Sequence, residues 1–272
     1  MRQAHRAPSG LPELKQKIGG MAMRCYMLYE ISTAAPKTRG NTALLVKEGL
    51  GAQVYQHLRN DLMVGRYEPG QKLKLRDLAE TLGTSVTPVR EALARLISDQ
   101  VLVQVDYRSV CVAVMDLGRF DEVRELRLML EGSGAERAAE CAAPADIDDL
   151  RTIHARLVDA RGRDCYPNIL LANQQFHLSL CRAARMPVLL GLVETLWVQC
   201  GPLMHGMTRW PAVRPKKHPH VAIIDALHAQ NGALARTALR QDILMSTEAL
   251  RRYLTNHADR PEWAKRSLQA EV

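Results

Sequence analysis

The sequence predicts a mainly α protein in two parts: a small N-terminal head of three helices and a β-hairpin, then an all-α antiparallel helical bundle. Three observations predict it. Apolar residues recur at helical spacing from Ala52 onward, interrupted by Gly and Pro. Only two short β-favouring runs occur, and nothing after Leu117 reads as a strand. Aromatic residues are scarce, with 3 Trp, 7 Tyr and 2 Phe, so the core must come from Leu, Ala, Val and Met, which suits helices packed on helices.

The head is read as follows. Val54, Leu58 and Leu62 place one apolar stripe on a first helix, which Gly65, Pro69 and Gly70 end. Leu75, Leu78, Ala79 and Leu82 form a short second helix, stopped by Gly83. Ser85 is a natural N-cap for a third, and Pro88 falls in its first turn, where a missing N–H is harmless. That helix runs to about Gln100. The runs Val101–Val105 and Val110–Val114 follow as two strands, with Asp106–Ser109 as their turn.

Helical patterns then cover 118–140, 146–161, 167–184, 187–205, 218–229 and 232–255, broken by Pro144, Gly162–Pro167, Arg185–Pro187, Pro202–Pro219 and Asn231–Gly232. The expected organisation is a flexible extension over 1–40, the head over 41–115, the bundle over 116–258 and a flexible tail over 259–272.

Composition narrows the function. With 47% apolar and 24% charged residues, wholesale disorder and a fibrous repeat are excluded. The most apolar window, Met186 to Leu203, carries Glu194 and Gln199 and reads as a buried helix, so no membrane role is expected. Six cysteines without a CxxC pair argue against a disulfide framework and fit a cytoplasmic protein. The net charge of +8 is misleading: residues 1–40 carry +5, residues 41–118 none and residues 119–272 +3. Nucleic-acid binding must therefore rest on where individual charges point.

Three short helices, a tight turn between the second and third, and a hairpin make a winged helix-turn-helix. On a wheel of about 100° per residue, Val89, Ala92, Leu93, Leu96 and Ile97 share one side of the third helix, and Thr87, Arg90, Glu91 and Ala94 the other. Readers of this kind insert the start of that helix into the major groove. Ser85 and Thr87 can bind phosphate oxygens, and Arg90 can reach phosphate or a guanine edge. Arg76 is placed for backbone contact and Arg108, at the wing tip, for the minor groove. The competing reading is a set of ordinary solvated charges, as Arg95 is expected to be.

The stretch from Val54 to Leu96 resembles the DNA-binding domain of the GntR transcription-factor family. The resemblance rests on G-x-x-x-P-G-x-x-L (Gly65 to Leu73), L-A-x-x-L-G (Leu78 to Gly83) and T-P-V-R-E-A-L (Thr87 to Leu93). It implies operator DNA as partner, with Arg76, Ser85, Thr87, Arg90 and the wing as contacts. Two departures are visible. Val86 replaces a commonly polar residue, and Ser109 a wing glycine.

A second constellation lies in the bundle. Asn173 and His177, four residues apart, share a helix face among Leu170, Phe176, Leu180 and Cys181. His220 and Asp242 each lie eleven residues from Asn231, so an antiparallel hairpin brings them to one level. Two His, a carboxylate and an amide suit one borderline divalent ion of the Zn or Ni type. The competing reading makes each His a satisfied core residue, as a His among apolar neighbours on a helix usually is. Arg127, four residues before Glu131, either clamps the carboxylate of a small organic acid or pairs with Glu131. The Met204–Pro219 loop, with His205, Arg209, Lys216, Lys217 and His218, is read either as a cover over the bundle or as a plain connection.

From Leu117 to Thr255 the chain resembles the helical effector-binding (FCD) domain of the FadR-type branch of the same family, through V-R-E-L-R-L-M-L-E (Val123 to Glu131), N-Q-Q-F-H (Asn173 to His177) and the helices of His220 and Asp242. The resemblance implies a divalent metal at Asn173, His177, His220 and Asp242, although the family's first and last ligands, Asp and His, are changed here. A metal-free pocket, with His177 and His220 bonding an effector directly, stays open. Together these readings predict a homodimeric repressor whose operator affinity responds to a carboxylic acid. The competing classes are a metal-dependent enzyme, against which stand the absence of HExxH, of a phosphate loop and of a nucleophile–base pair, and a winged-helix adaptor for other proteins.

Overall fold

The computed structural model describes residues 49–207 and 218–256. The expected N-terminal extension, the tail and most of the Met204–Pro219 loop lie outside the described residues. Helix α1 (Leu50–Met63) opens the head, followed by strand β1 (Lys72–Lys74), α2 (Leu75–Thr81), α3 (Val86–Ser98) and the hairpin β2 (Leu102–Asp106) and β3 (Ser109–Val112). The bundle comprises α4 (Leu117–Cys141), α5 (Pro144–Gly162), α6 (Tyr166–Ala183), α7 (Pro187–Met207), α8 (Pro219–His228) and α9 (Gly232–Asn256).

The three strands form an antiparallel sheet in the order β1–β3–β2. Leu73 faces Val110 in one ladder and Leu102 faces Val112 in the other. β1 was not expected, because three residues are too few to display a strand period. The wing turn closes tightly over Tyr107 and Arg108, since Asp106 accepts from the Arg108 backbone N–H at 2.7 Å and from the Ser109 hydroxyl at 2.6 Å. No non-glycine residue with positive φ occurs in that turn. Ser109 therefore sits in ordinary backbone, and it ties the turn with its hydroxyl.

Leu58, Leu62, Val89, Leu93, Leu96, Leu102 and Val110 pack the head. Gly83, with φ of +61°, makes the turn between α2 and α3, a conformation that L side chains resist. Tyr55 donates to Asp99 at 2.7 Å and lies under the guanidinium of Arg95, which stays exposed as expected, at 3.9 Å.

In the bundle, α4 and α9 run against each other through small residues, Ala135, Ala138 and Ala139 meeting Ala235, Ala238 and Leu239. Asp116 caps α4, accepting from the Arg119 backbone N–H at 2.8 Å. Pro202 does not end α7, which continues to Met207. No helix among the described residues is long and apolar enough to cross a membrane. The five described cysteines are free.

Head and bundle share one core. Leu178, Cys181, Leu189, Val193, Trp197 and Val198 of α6 and α7 join the cluster that contains Leu58 and Leu62 of α1. Gly201 permits the approach: a Cβ there would stand 2.4 Å from the Leu62 carbonyl and 2.5 Å from the Met63 Cα. Arg59 pairs with Glu194 at 3.5 Å, and Gln199 donates to the Asp99 carbonyl at 3.0 Å.

Candidate functional sites

The first site is the outer flank of α3. Its inner side carries Pro88, Val89, Ala92, Leu93 and Leu96, all buried. That burial leaves Thr87, Arg90, Glu91 and Ala94 exposed, as the wheel predicts. Arg76, Ser85 and Arg108 are exposed as well. Ser85 occupies the N-cap position with extended backbone, yet its side chain makes no capping hydrogen bond. Ser85 is thus the N-cap by position, as expected, but its hydroxyl makes no cap bond, and α3 begins without a side-chain cap. Neither Arg76 nor Arg90 forms an ion pair among the described residues. Arg108 rests over the Tyr107 ring at 4.7 Å. Val86 is half-buried against the head's core, so only part of it faces outward.

The second site lies inside the bundle. His177 on α6 is buried between two carboxylates: its Nδ1 is 2.6 Å from Glu131 of α4 and its Nε2 is 3.0 Å from Asp242 of α9. Burial alone would lower the His177 pKa, but Glu131 and Asp242 outweigh it and raise it to about 9. Glu131 receives Arg127 Nε at 2.6 Å through its other oxygen. Burial opposes ionisation of Glu131, yet Arg127 and His177 hold its pKa down to about 2. Arg127 is itself buried, with its guanidinium over the Trp197 ring at 3.9 Å. Of its two sequence readings, the structure displays the pair with Glu131.

His220 and Asp242 do meet at one level of the α8–α9 hairpin, with His220 Nε2 at 3.9 Å from Asp242 Oδ1. His220 is fully buried and lies flat against Phe176, with ring centroids 3.6 Å apart and planes 5° apart. Neither of its ring nitrogens has a hydrogen-bond partner. Burial pushes its pKa well below the ordinary value despite Asp242, so the ring is neutral. Asp242 is held down to about 2: burial opposes this, and the hydrogen bond from His177 and the neighbouring imidazoles prevail. The ligand atoms of His177, His220 and Asp242 all lie within 4.8 Å of one another. A buried imidazole without a partner, facing a carboxylate and a second imidazole, fits a divalent cation. Asn173, one turn before His177, is half-buried and hydrogen-bonds none of these groups.

Sequence reasoning missed four participants. Glu131 was assigned only to Arg127, although it also fixes His177. Trp197 had no role. His218 was placed in a loop, yet it caps α8, accepting from the His220 backbone N–H at 3.2 Å, and its Nδ1 is 3.8 Å from Asp242. His154 on α5 approaches from the opposite side, its ring 5.5 Å from those of His218 and His220. The triplet His218–Pro219–His220 was the visible signal for His218. His154 carried none, because the packing of α5 alone brings it in.

Residues 50–112 match the family of bacterial regulatory proteins described as gntR, and residues 122–244 match the FCD domain. The chain is similar to the HTH-type transcriptional regulator McbR of Escherichia coli K12, at 33% identity over 166 residues, covering 61% of this chain and 74% of that protein. It is also similar to the HTH-type transcriptional repressor GlaR of the same strain, at 24% identity over 208 residues, covering 74% of this chain and 90% of GlaR. Among solved structures, E. coli McbR/YncC superposes with a TM-score of 0.71 at 29% identity, covering 75% of this chain and 98% of that one.

Proposed function

Because the chain belongs to the GntR family of bacterial regulatory proteins, as a transcriptional regulator with an FCD domain, we propose that it is a homodimeric repressor whose operator affinity responds to a small carboxylic acid. The observation that carries this reading is the exposed flank of α3, with Ser85, Thr87 and Arg90 turned outward over a fully buried inner face. Arg76 and Arg108 flank it on α2 and the wing. Two such heads in a two-fold dimer would read a pseudo-palindromic operator. The repressor assignment is supported by the similarity to GlaR, a repressor. The dimer is supported by large apolar side chains left exposed on the bundle: Leu126 and Met129 on α4, Val188 and Leu192 on α7.

The effector site is the buried polar centre of the bundle. His177, His220 and Asp242 would hold a divalent ion, which offers open positions to the oxygens of an organic acid. Glu131 orients His177 as a carboxylate behind a ligand imidazole does. Arg127 is the nearby guanidinium that an acid would have to recruit from Glu131. The effector acts only through unequal affinity for DNA-competent and incompetent arrangements of the heads, which share a core with α7.

The test is a binding titration of the full chain against duplex DNA from upstream of its own gene, repeated at several salt concentrations. The expected result is sequence-selective binding whose affinity falls steeply with salt. Salt-independent or absent binding would favour the adaptor reading.

A further inference from the structure

We propose that Tyr107 is a specificity-determining residue of the wing: its ring holds the Arg108 guanidinium ready for a narrow, A·T-rich minor groove beside the site read by α3. This rests on the reading of the head as an operator-binding module and names the DNA feature that the wing selects.

The tip of the hairpin is fixed from several sides. β2 is an edge strand, and its register with β3 shifts between Gln104 and Asp106, so the strand bends just before the tip. The Asp106 carboxylate accepts from the Arg108 backbone N–H at 2.7 Å and from the Ser109 hydroxyl at 2.6 Å, and it pairs with Lys72 of β1 at 3.5 Å. The Asp106 carbonyl accepts from the Gln104 side-chain amide. The Ser109 hydroxyl and the Arg108 N–H hold the Asp106 carboxyl below its ordinary range, so these ties persist at neutral pH. The Arg108 carbonyl accepts from the Leu75 backbone N–H at 3.0 Å. That bond pins the tip to the start of α2, one residue from Arg76.

With Asp106 so engaged, the group that faces the Arg108 guanidinium is the Tyr107 ring, 4.7 Å away. Tyr107 is 73% exposed, and among the described residues it is the one aromatic ring among the large apolar side chains left in solvent. A ring so placed contributes little to the fold. It restrains a flexible arginine by cation–π attraction. Ordering that side chain before contact removes part of the entropy cost of binding. Residues 41–118 carry no net charge, so a single guanidinium counts most where the field of the DNA is strongest. That place is the narrowed minor groove of A·T-rich DNA, which attracts arginine by its shape and lacks the guanine amino group that would stand in the way.

The experiment is an anisotropy titration of the full chain with the duplex from upstream of its gene, in natural form and with 2,6-diaminopurine in place of every adenine. That base adds an amino group in the minor groove and leaves the major-groove edge unchanged. Four proteins are compared: the unaltered chain, Tyr107→Ala, Tyr107→Phe and Arg108→Ala, with melting curves to check that each is folded. The unaltered chain should bind the diaminopurine duplex at least about 5-fold more weakly than the natural one. Arg108→Ala, without the group that enters the groove, should bind both alike. Tyr107→Ala should bind the natural duplex about 2- to 5-fold more weakly than the unaltered chain, with a smaller gap between the two duplexes. Tyr107→Phe keeps the ring and should match the unaltered chain. Tyr107→Ala binding like the unaltered chain would overturn the proposal. So would an equal loss in Tyr107→Phe, which would assign the effect to a hydroxyl–phosphate contact. An unaltered chain that binds the natural duplex and is indifferent to diaminopurine would overturn this inference alone. One that selects no duplex would overturn the operator reading with it.

Discussion

Glu131 meets two cationic partners at once, Arg127 through one oxygen and His177 through the other, in a place water does not reach. Such a group is stabilising only while both partners remain, because a buried charge left alone costs far more than the pair contributes. His177→Ala should therefore lower the unfolding free energy of the chelator-stripped protein by about 3–5 kcal/mol, read from urea denaturation. A loss below about 1 kcal/mol would mean that Glu131 and Asp242 find other partners or water. At this scale the sequence was partly legible. Equal spacing from Asn231 was enough to bring His220 to Asp242, because an antiparallel hairpin maps sequence distance onto height. The pairing of Glu131 with His177 spans 46 residues and depends on how α4 meets α6, which no local pattern encodes.

Element boundaries depend on a smaller chemistry, the left-handed residue that closes a helix. In α2 that residue is Gly83, and the sequence announces it. In α3, α5 and α8 the same closure is made by Gln100, Asp164 and Gln230, all with positive φ. The backbone N–H of the next residue reaches back to Leu96, Ala160 and Ala226 at 2.9–3.1 Å. Neighbouring Gly and Pro place the breaks at Asp164 and Gln230, and the β-favouring run from Val101 places the one at Gln100, but Gln100 and Gln230 themselves are hidden, since Gln is not a turn signal. Their strain can be measured. Gln230, exposed and at φ of +50°, should gain about 0.5–1 kcal/mol of stability when changed to Gly, which adopts that conformation freely. Thermal or urea melting checks it, and an unchanged or lower stability would show that the turn is not strained. Strand β1 was illegible for another reason: it is a strand only because β3 lies beside it.

At the scale of the whole molecule, the head does not hang from a linker but rests on α7 through a glycine. Gly201→Ala must push its Cβ into the end of α1, so it should destabilise the chain by about 1–3 kcal/mol, read from urea denaturation. An Ala variant as stable as the parent would show that the head yields easily. Under the proposed function, the same contact is the route by which an effector in the bundle would bias the heads. Trp197 packs on Arg127 and also belongs to the core shared with α1. None of this matters unless the head reads DNA with the outward side of α3. The direct measurement is an anisotropy titration of the upstream duplex and of an unrelated duplex with the parent chain and Arg90→Ala, alongside melting curves for both proteins. An unchanged melting temperature and a loss of about 1–3 kcal/mol on the upstream duplex are expected. Equal affinity of the two proteins for that duplex would contradict this reading.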